Sequence, residues 1–274
     1  MKRLAASLAF AVGLAGAATF AYGVAVGRRR LVLRDHALAI PDWPPQLNGL
    51  RIALVADFHL KNRVSGELSH QAIALAIRSE PDVLVLAGDF VDRWYDNSPG
   101  LVDDLLTPLA ALNLPVIAVP GNHDYFRGTP DALAESCARY GIHWLVNASV
   151  TVTTRRGEVQ FLGLDSARFE RGEPERVRDL DPDIARIVVW HEPDAVDQLP
   201  AGAHLMLSGH SHGGQFVFPG GFAPVHSKLG RRYVRGYYPQ APTPIFVTPG
   251  VGTTFLPARL NCPPEVSRLT LRRA

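Results

Sequence analysis

The sequence predicts an α/β fold: a two-sheet sandwich flanked by helices. Three observations carry this expectation. Short β-branched apolar runs recur along the chain, most of them end in Gly, Asp or His, and helix-spaced segments separate those of the first half. A chain of 274 residues with 47% hydrophobic content can bury a sizeable core. Its net charge of +2 lacks the concentrated basic stripe that a nucleic-acid partner would demand. Cys137 and Cys262 stand far apart and outside any CxxC spacing, so neither a disulfide framework nor a thiolate zinc site is suggested.

The first element is the uncharged stretch from Leu4 to Val26, between Lys2-Arg3 and Arg28-Arg29-Arg30. As a helix it would run about 34 Å, enough for a hydrocarbon core of about 30 Å. Residues 1–27 are therefore expected to be a single membrane anchor, with a cleaved signal segment as the alternative. The basic cluster after it favours the cytoplasmic face for the C-terminal domain. Residues 28–48, basic and then proline-rich in "IPDWPPQLNGL", read as a linker, and residues 49–274 as the catalytic domain.

Within that domain "RIALVA" (51–56) reads as a strand ending at Asp57. Leu68, Ala72, Leu75 and Ser79, with Ile73 and Ile77 beside them, then keep helical spacing over 66–79. "DVLVLAG" (82–88) and "PVIAVPG" (115–121) repeat the strand pattern and read as buried strands of βαβ units. "VQFLGLD", "RIVVWHEP", "HLMLSGH" and "PIFVTPG" supply a second sheet with shorter connections.

In open α/β sheets ligands gather beyond the carboxyl ends of the strands. Those positions hold Asp57 and His59, Asp89 and Asp92, Asn122, His123 and Asp124, His191, and His210 and His212. Side chains at i and i+2 of an extended segment share a face, so Asp57/His59 and His210/His212 can each aim two groups into one cleft. Imidazole, carboxylate and amide donors without cysteine suit Mn, Fe(II), Zn or Co. Singly, each motif has an ordinary reading: a turn for "GNHD", a helix N-cap for Asp89 or Asp92. Together they leave many buried charges that cations would neutralise.

The ordered set Asp-x-His, Gly-Asp-x-x-Asp, Gly-Asn-His-Asp, His and Gly-His-x-His over residues 51–212 resembles the calcineurin-like metallophosphoesterase superfamily. "GHSHGGQ" with "GVGTTFLPARLNCPPEVSRLTL" (250–271) looks like its membrane-associated bacterial phosphodiesterase branch. The resemblance implies a dinuclear centre of Mn, Fe or Zn. Asp57, His59 and His212 would hold one ion, Asn122, His191 and His210 the other, with Asp89 bridging. It further implies hydrolysis of a phosphodiester or pyrophosphate by in-line attack of a metal-bridging hydroxide. His123 would protonate the leaving oxygen, oriented by the carboxylate of Asp92, and Arg93 would bind the phosphate. Gly209, Gly213 and Gly214 would clear space for the metals and the phosphate.

Some members of the superfamily hydrolyse UDP-diacylglucosamine, which makes a lipid-linked phosphate ester the expected substrate. The basic and aromatic stretch 226–238 agrees with a membrane interface, the alternative being a solvated loop with inward tyrosines. His226 either borders the cleft or lies in a solvent loop, the reading its Gly and Pro content favours. His36, His70, His143 and His204 fit no ligand spacing. The competing function is a catalytically silent, membrane-tethered protein-binding module on the same fold, against which the complete ligand set counts.

Overall fold

The computed structural model describes residues 2–224 and 226–274 and arranges the apolar runs in two six-stranded sheets. In chain order the elements are α1 (Lys2–Ala25), β1 (Val32–Ile40), β2 (Leu50–Val55), α2 (Arg63–Arg78), β3 (Val83–Ala87), α3 (Ser98–Leu106), β4 (Val116–Val119), α4 (Asp131–Arg139) and β5 (His143–Trp144). The second half contributes β6 (Ala148–Thr154), β7 (Gly157–Gly163), β8 (Ala185–Val189), β9 (Leu205–Ser208), β10 (Gly236–Tyr238), β11 (Ile245–Val247) and β12 (Glu265–Arg273). One sheet has the order β1-β12-β2-β3-β4-β5 and the other β10-β11-β9-β8-β7-β6.

Both sheets are parallel at their centres, and every central strand is covered on two faces, so these strands read as continuous apolar runs. The period of two still operates within them. Val83, Val85 and Ala87 enter the core between the sheets, while Leu84 and Leu86 face the helices. Leu54, Val119, Phe161, Ile187, Leu207 and Phe246 belong to the inter-sheet core. Ala72, Ile73 and Ala76 of α2, Val102 and Leu105 of α3 and Leu133 of α4 cover the first sheet. Short 3-10 turns, Pro174–Asp179 and Pro193–Gln198, cover the second with Val177 and Val196.

Asn62 caps α2 by accepting from the Ser65 N–H, while the Ser65 hydroxyl accepts from the Asn62 N–H. The reciprocal cap starts the helix at Arg63, earlier than apolar spacing alone suggested. The cap also ends the loop that carries His59.

Two N-terminal expectations need correction. α1 is a continuous helix, but alanine and glycine dominate it and give little apolar area per turn. Among the described residues no helix is long and apolar enough to cross a membrane, which overturns the single N-terminal anchor and the membrane face assigned with it. The end of α1 is instead taken up by the domain: the Arg259 N–H donates to the Gly23 carbonyl at 3.2 Å. The segment read as linker contains β1, which pairs in parallel with β12 from Val32 to Ile40. Beyond it Trp43 and Leu47 are buried in the inter-sheet core, and the Trp43 indole donates to the Leu47 carbonyl at 3.2 Å.

Candidate metal centre and active-site cleft

The strand ends converge. Loops after β2, β3, β4, β8 and β9 meet at one edge of the sandwich, and three groups of donors form there, one of them His59, Asp92 and His123, of which the last two line an adjoining cleft. Asp57, His59 and His212 offer ligand atoms within 4.8 Å of one another, and Asp89, His191 and His210 do the same. The groups adjoin, since His191 Nε2 lies 3.9 Å from Asp57 Oδ1 and His59 Nε2 lies 3.5 Å from Asp89 Oδ2. All six side chains are buried.

The backbone is bent to achieve this. Asp57, His59, Asp89, His210 and His212 all have φ between 47° and 69°, the left-handed region that L residues avoid. Strain gathered at a cluster of metal-ligating residue types is the mark of a functional site. Glycine permits the closest approaches. A Cβ at Gly121 would overlap the Asp89 carboxylate and main chain, and one at Gly250, where φ is 67°, would overlap the Asp57 carboxylate.

Hydrogen bonds set which nitrogen of each imidazole faces inward. His191 Nδ1 donates to the Ala87 carbonyl at 2.6 Å, leaving Nε2 for the centre. His210 Nε2 donates to the Lys228 carbonyl at 2.6 Å, so Nδ1 is its free atom. Such outer contacts are how metal-binding histidines are fixed in tautomer and direction. Asp57 is held at its base by the His210 N–H, 3.1 Å from both oxygens.

A divalent ion fits these residues on three counts. Asn122 Oδ1 is buried without a hydrogen-bond partner, an arrangement that costs free energy unless something else satisfies it, and His191 Nε2 faces Asp89 Oδ2 at 3.1 Å. His59 Nε2 and His212 Nε2 approach to 3.1 Å, a separation at which two imidazole lone pairs require a proton or a cation between them. Charge points the same way. Burial pushes the His59, His212 and His210 imidazoles below their usual range, which keeps their lone pairs available. Burial alone would raise Asp89, yet the imidazoles of His191 and His123 outweigh it and hold that carboxyl well below the carboxylate range. Burial lifts Asp57 to about 7, with His191 opposing the rise.

Beside the centre opens a cleft of about 350 Å³ that includes Asn122, His123, Asp92, Arg93 and Lys61. Here the geometry departs from expectation. His123 Nδ1 donates to the main-chain oxygen of Asp92 at 2.7 Å, and the Asp92 carboxylate turns to Lys61 Nζ at 3.3 Å and Arg93 Nε at 3.4 Å. Arg93 lines the cleft with its charge already compensated.

Several residues take supporting roles that the sequence did not assign to them. Asp124, buried and lifted by that burial to about 7, accepts from the Gly121, Asp89 and Val91 N–H groups and so fastens the β3 loop to the β4 loop. Arg259 is fully buried and donates to the carbonyls of Gly252 at 2.6 Å and Pro249 at 2.8 Å beneath His212. Its burial lowers the guanidinium from its usual range. Glu192, also fully buried, accepts from the Ser166 hydroxyl at 2.5 Å and the Ala167 N–H at 3.0 Å. The only hint of these roles was a charged residue beside an apolar or proline-rich run.

Other expectations shift as well. Gly213 makes room for Cys262 and Pro249, and Gly214 for Ala223, so their clearance serves protein neighbours. In the stretch 226–238, Tyr233 is buried and its hydroxyl donates to Asp197, while the Arg231 and Arg232 N–H groups donate to Asp194. Tyr233 thus faces inward, while Tyr237 and Tyr238 are only half-buried. His226 sits in that loop and lines the cleft. His36 pairs with Glu265 at 3.0 Å, away from the centre.

Residues 50–214, which contain all the converging loops, match the family model described as calcineurin-like phosphoesterase. The chain is 34% identical to Phosphodiesterase YaeI of Escherichia coli (strain K12), over 81% of this chain and 82% of that protein. It is 28% identical to the Uncharacterized metallophosphoesterase YkuE of Bacillus subtilis (strain 168), over 87% of this chain and 84% of that one. The matched region and the buried donor groups coincide, and the chain belongs to the calcineurin-like phosphoesterase family as a metal-dependent phosphoric ester hydrolase.

Proposed function

We propose that the chain is a dinuclear phosphodiesterase or pyrophosphatase. The observation that carries this reading is the pair of adjoining donor groups with Asp57 and Asp89 between them. Asp57, His59 and His212 would hold one ion and Asn122, His191 and His210 the other, with Asp89 placed beside both groups. When bound, divalent ions there would supply Lewis acidity and make water a nucleophile near neutral pH. Against two carboxylates they leave the site about +2, which attracts a phosphate ester. His123, fixed through Nδ1, presents Nε2 to the cleft and protonates the leaving oxygen. Asp92 acts through its main chain on His123 and through its carboxylate on Lys61 and Arg93, which together line the phosphate side.

An apolar recess of about 100 Å³, lined by Phe216, Phe255 and Leu256 among others, adjoins the cleft at His212. Phe255 is 93% exposed. An apolar substituent on the ester, including a lipid, would cover this surface. The complete ligand set and the free Nε2 of His123 count against a silent binding module.

The test is turnover by the full chain, freed of metal and reloaded with Mn²⁺, Fe²⁺ or Zn²⁺. Bis-p-nitrophenyl phosphate and lipid-linked and water-soluble phosphodiesters are compared side by side, with bound metal counted. Two ions per chain and hydrolysis of a diester are expected. A metal-replete protein inert toward every phosphate ester would sink the enzymatic reading.

A further inference from the structure

Two arginines line the cleft, and they differ in state. Arg93 is paired with the Asp92 carboxylate at 3.4 Å. Arg168 is half-buried, and among the described residues its guanidinium makes no ion pair and no hydrogen bond; only its main-chain N–H is engaged, to Glu192 at 3.3 Å. An unpaired guanidinium beside a cluster of metal-ligating groups retains its whole capacity for a planar anion.

The turn that carries it is held from both sides. Glu192, which follows His191 in the chain, accepts from the Ser166 hydroxyl and the Ala167 and Arg168 N–H groups. Asp165 accepts from the Tyr125 hydroxyl at 2.5 Å, the Ser166 N–H at 2.7 Å and Arg171 Nε at 3.0 Å. Phe169 packs edge-on against Tyr125 and Phe126, which continue the turn bearing Asn122 and His123. Two buried carboxylates thus tie the Arg168 turn to the loops of two candidate ligands, His191 and Asn122. So much fastening around a side chain that bonds to nothing is the arrangement of a preorganised binding group.

We propose that Arg168 binds anionic oxygens of the phosphate ester in the cleft and is the principal arginine determining affinity for the phosphoryl group. This deepens the phosphoesterase reading and rests on it.

The test uses the full chain loaded with Mn²⁺, bis-p-nitrophenyl phosphate as substrate and inorganic phosphate as competitor. Arg168→Gln should raise KM and weaken phosphate inhibition, each by about tenfold or more, with metal content unchanged. Arg168→Lys should recover part of the loss, since it restores charge without the fork. KM and phosphate inhibition within about twofold of wild type would overturn the proposal. So would loss of metal together with activity, which would make Arg168 a support of the fold. Calorimetric binding of inorganic phosphate reports on Arg168 even if no ester is turned over. Failure of the phosphoesterase reading is therefore distinguishable from failure of this one.

Discussion

His123 donates its Nδ1 proton to the main-chain oxygen of Asp92, 2.7 Å away, while the carboxylate of the same residue faces Lys61. The orientation of the imidazole therefore depends on where the backbone of residue 92 runs, not on which side chain it bears. His123→Asn should lower kcat on bis-p-nitrophenyl phosphate by about 10²–10⁴-fold, the span a general acid contributes, with metal content unchanged. Asp92→Asn keeps the acceptor and should lose only a small part of that. Equal losses in the two variants would show that the carboxylate, not the carbonyl, governs His123.

Gly121 leaves no room for a side chain, because a Cβ there would come within 2.9 Å of Asp89 Cγ and closer still to its Oδ1 and main-chain N. Gly121→Ala should displace Asp89 and weaken metal binding by about 10–100-fold, as loss of support around a ligand does. Gly100, in α3 with nothing within 4 Å of its Cβ position, is the control, and Gly100→Ala should bind metal normally. Metal titration by calorimetry decides it. Equal affinity in both variants would refute the packing argument.

At His59 the backbone has φ of 47°. Both His59→Gly and His59→Ala remove the ligand, but only alanine retains the left-handed penalty of about 1–2 kcal/mol. In chelator the glycine variant should melt at the higher temperature. The reverse order would mean that the metal-free loop has abandoned this conformation.

Arg259 satisfies carbonyls at Pro249, Gly252 and Cys262 from a fully buried position. Arg259→Met keeps volume but leaves those oxygens without donors, and should cost about 3 kcal/mol or more of unfolding free energy. Arg259→Lys should also destabilise, since one ammonium cannot reproduce the fork. A urea midpoint unchanged in both would contradict the role assigned to the guanidinium.

The central strands and their end motifs were legible because parallel strands covered on both faces are written as unbroken apolar runs, and because ligand residues must stand where those runs stop. β1 was hidden by Arg34, Asp35 and His36, charges that an edge strand tolerates and that also suit a linker. β12 has an alternating pattern but no turn signal tying it to β2, more than two hundred residues earlier. Arg168, Glu192 and Arg259 were unreadable for a related reason. Their partners are set by loops that only the fold brings together, as with Arg259 and His212, 47 positions apart. The anchor failed differently, since length and absence of charge described α1 correctly while its small side chains and its contact at Gly23 did not suit a membrane.

The place of β12 between β1 and β2 bears on how the protein comes into being. The ladder from Ser267 to Leu271 closes the open flank of β2, the strand that leads into Asp57, and the ribosome makes that segment after every other strand of either sheet. Until it arrives β2 presents unpaired N–H and C=O groups, a template for pairing with the wrong chain. β1, made before the rest, waits just as long for its parallel partner. The loop that carries Asp57 and His59 is thus assembled on a sheet that its latest strand completes.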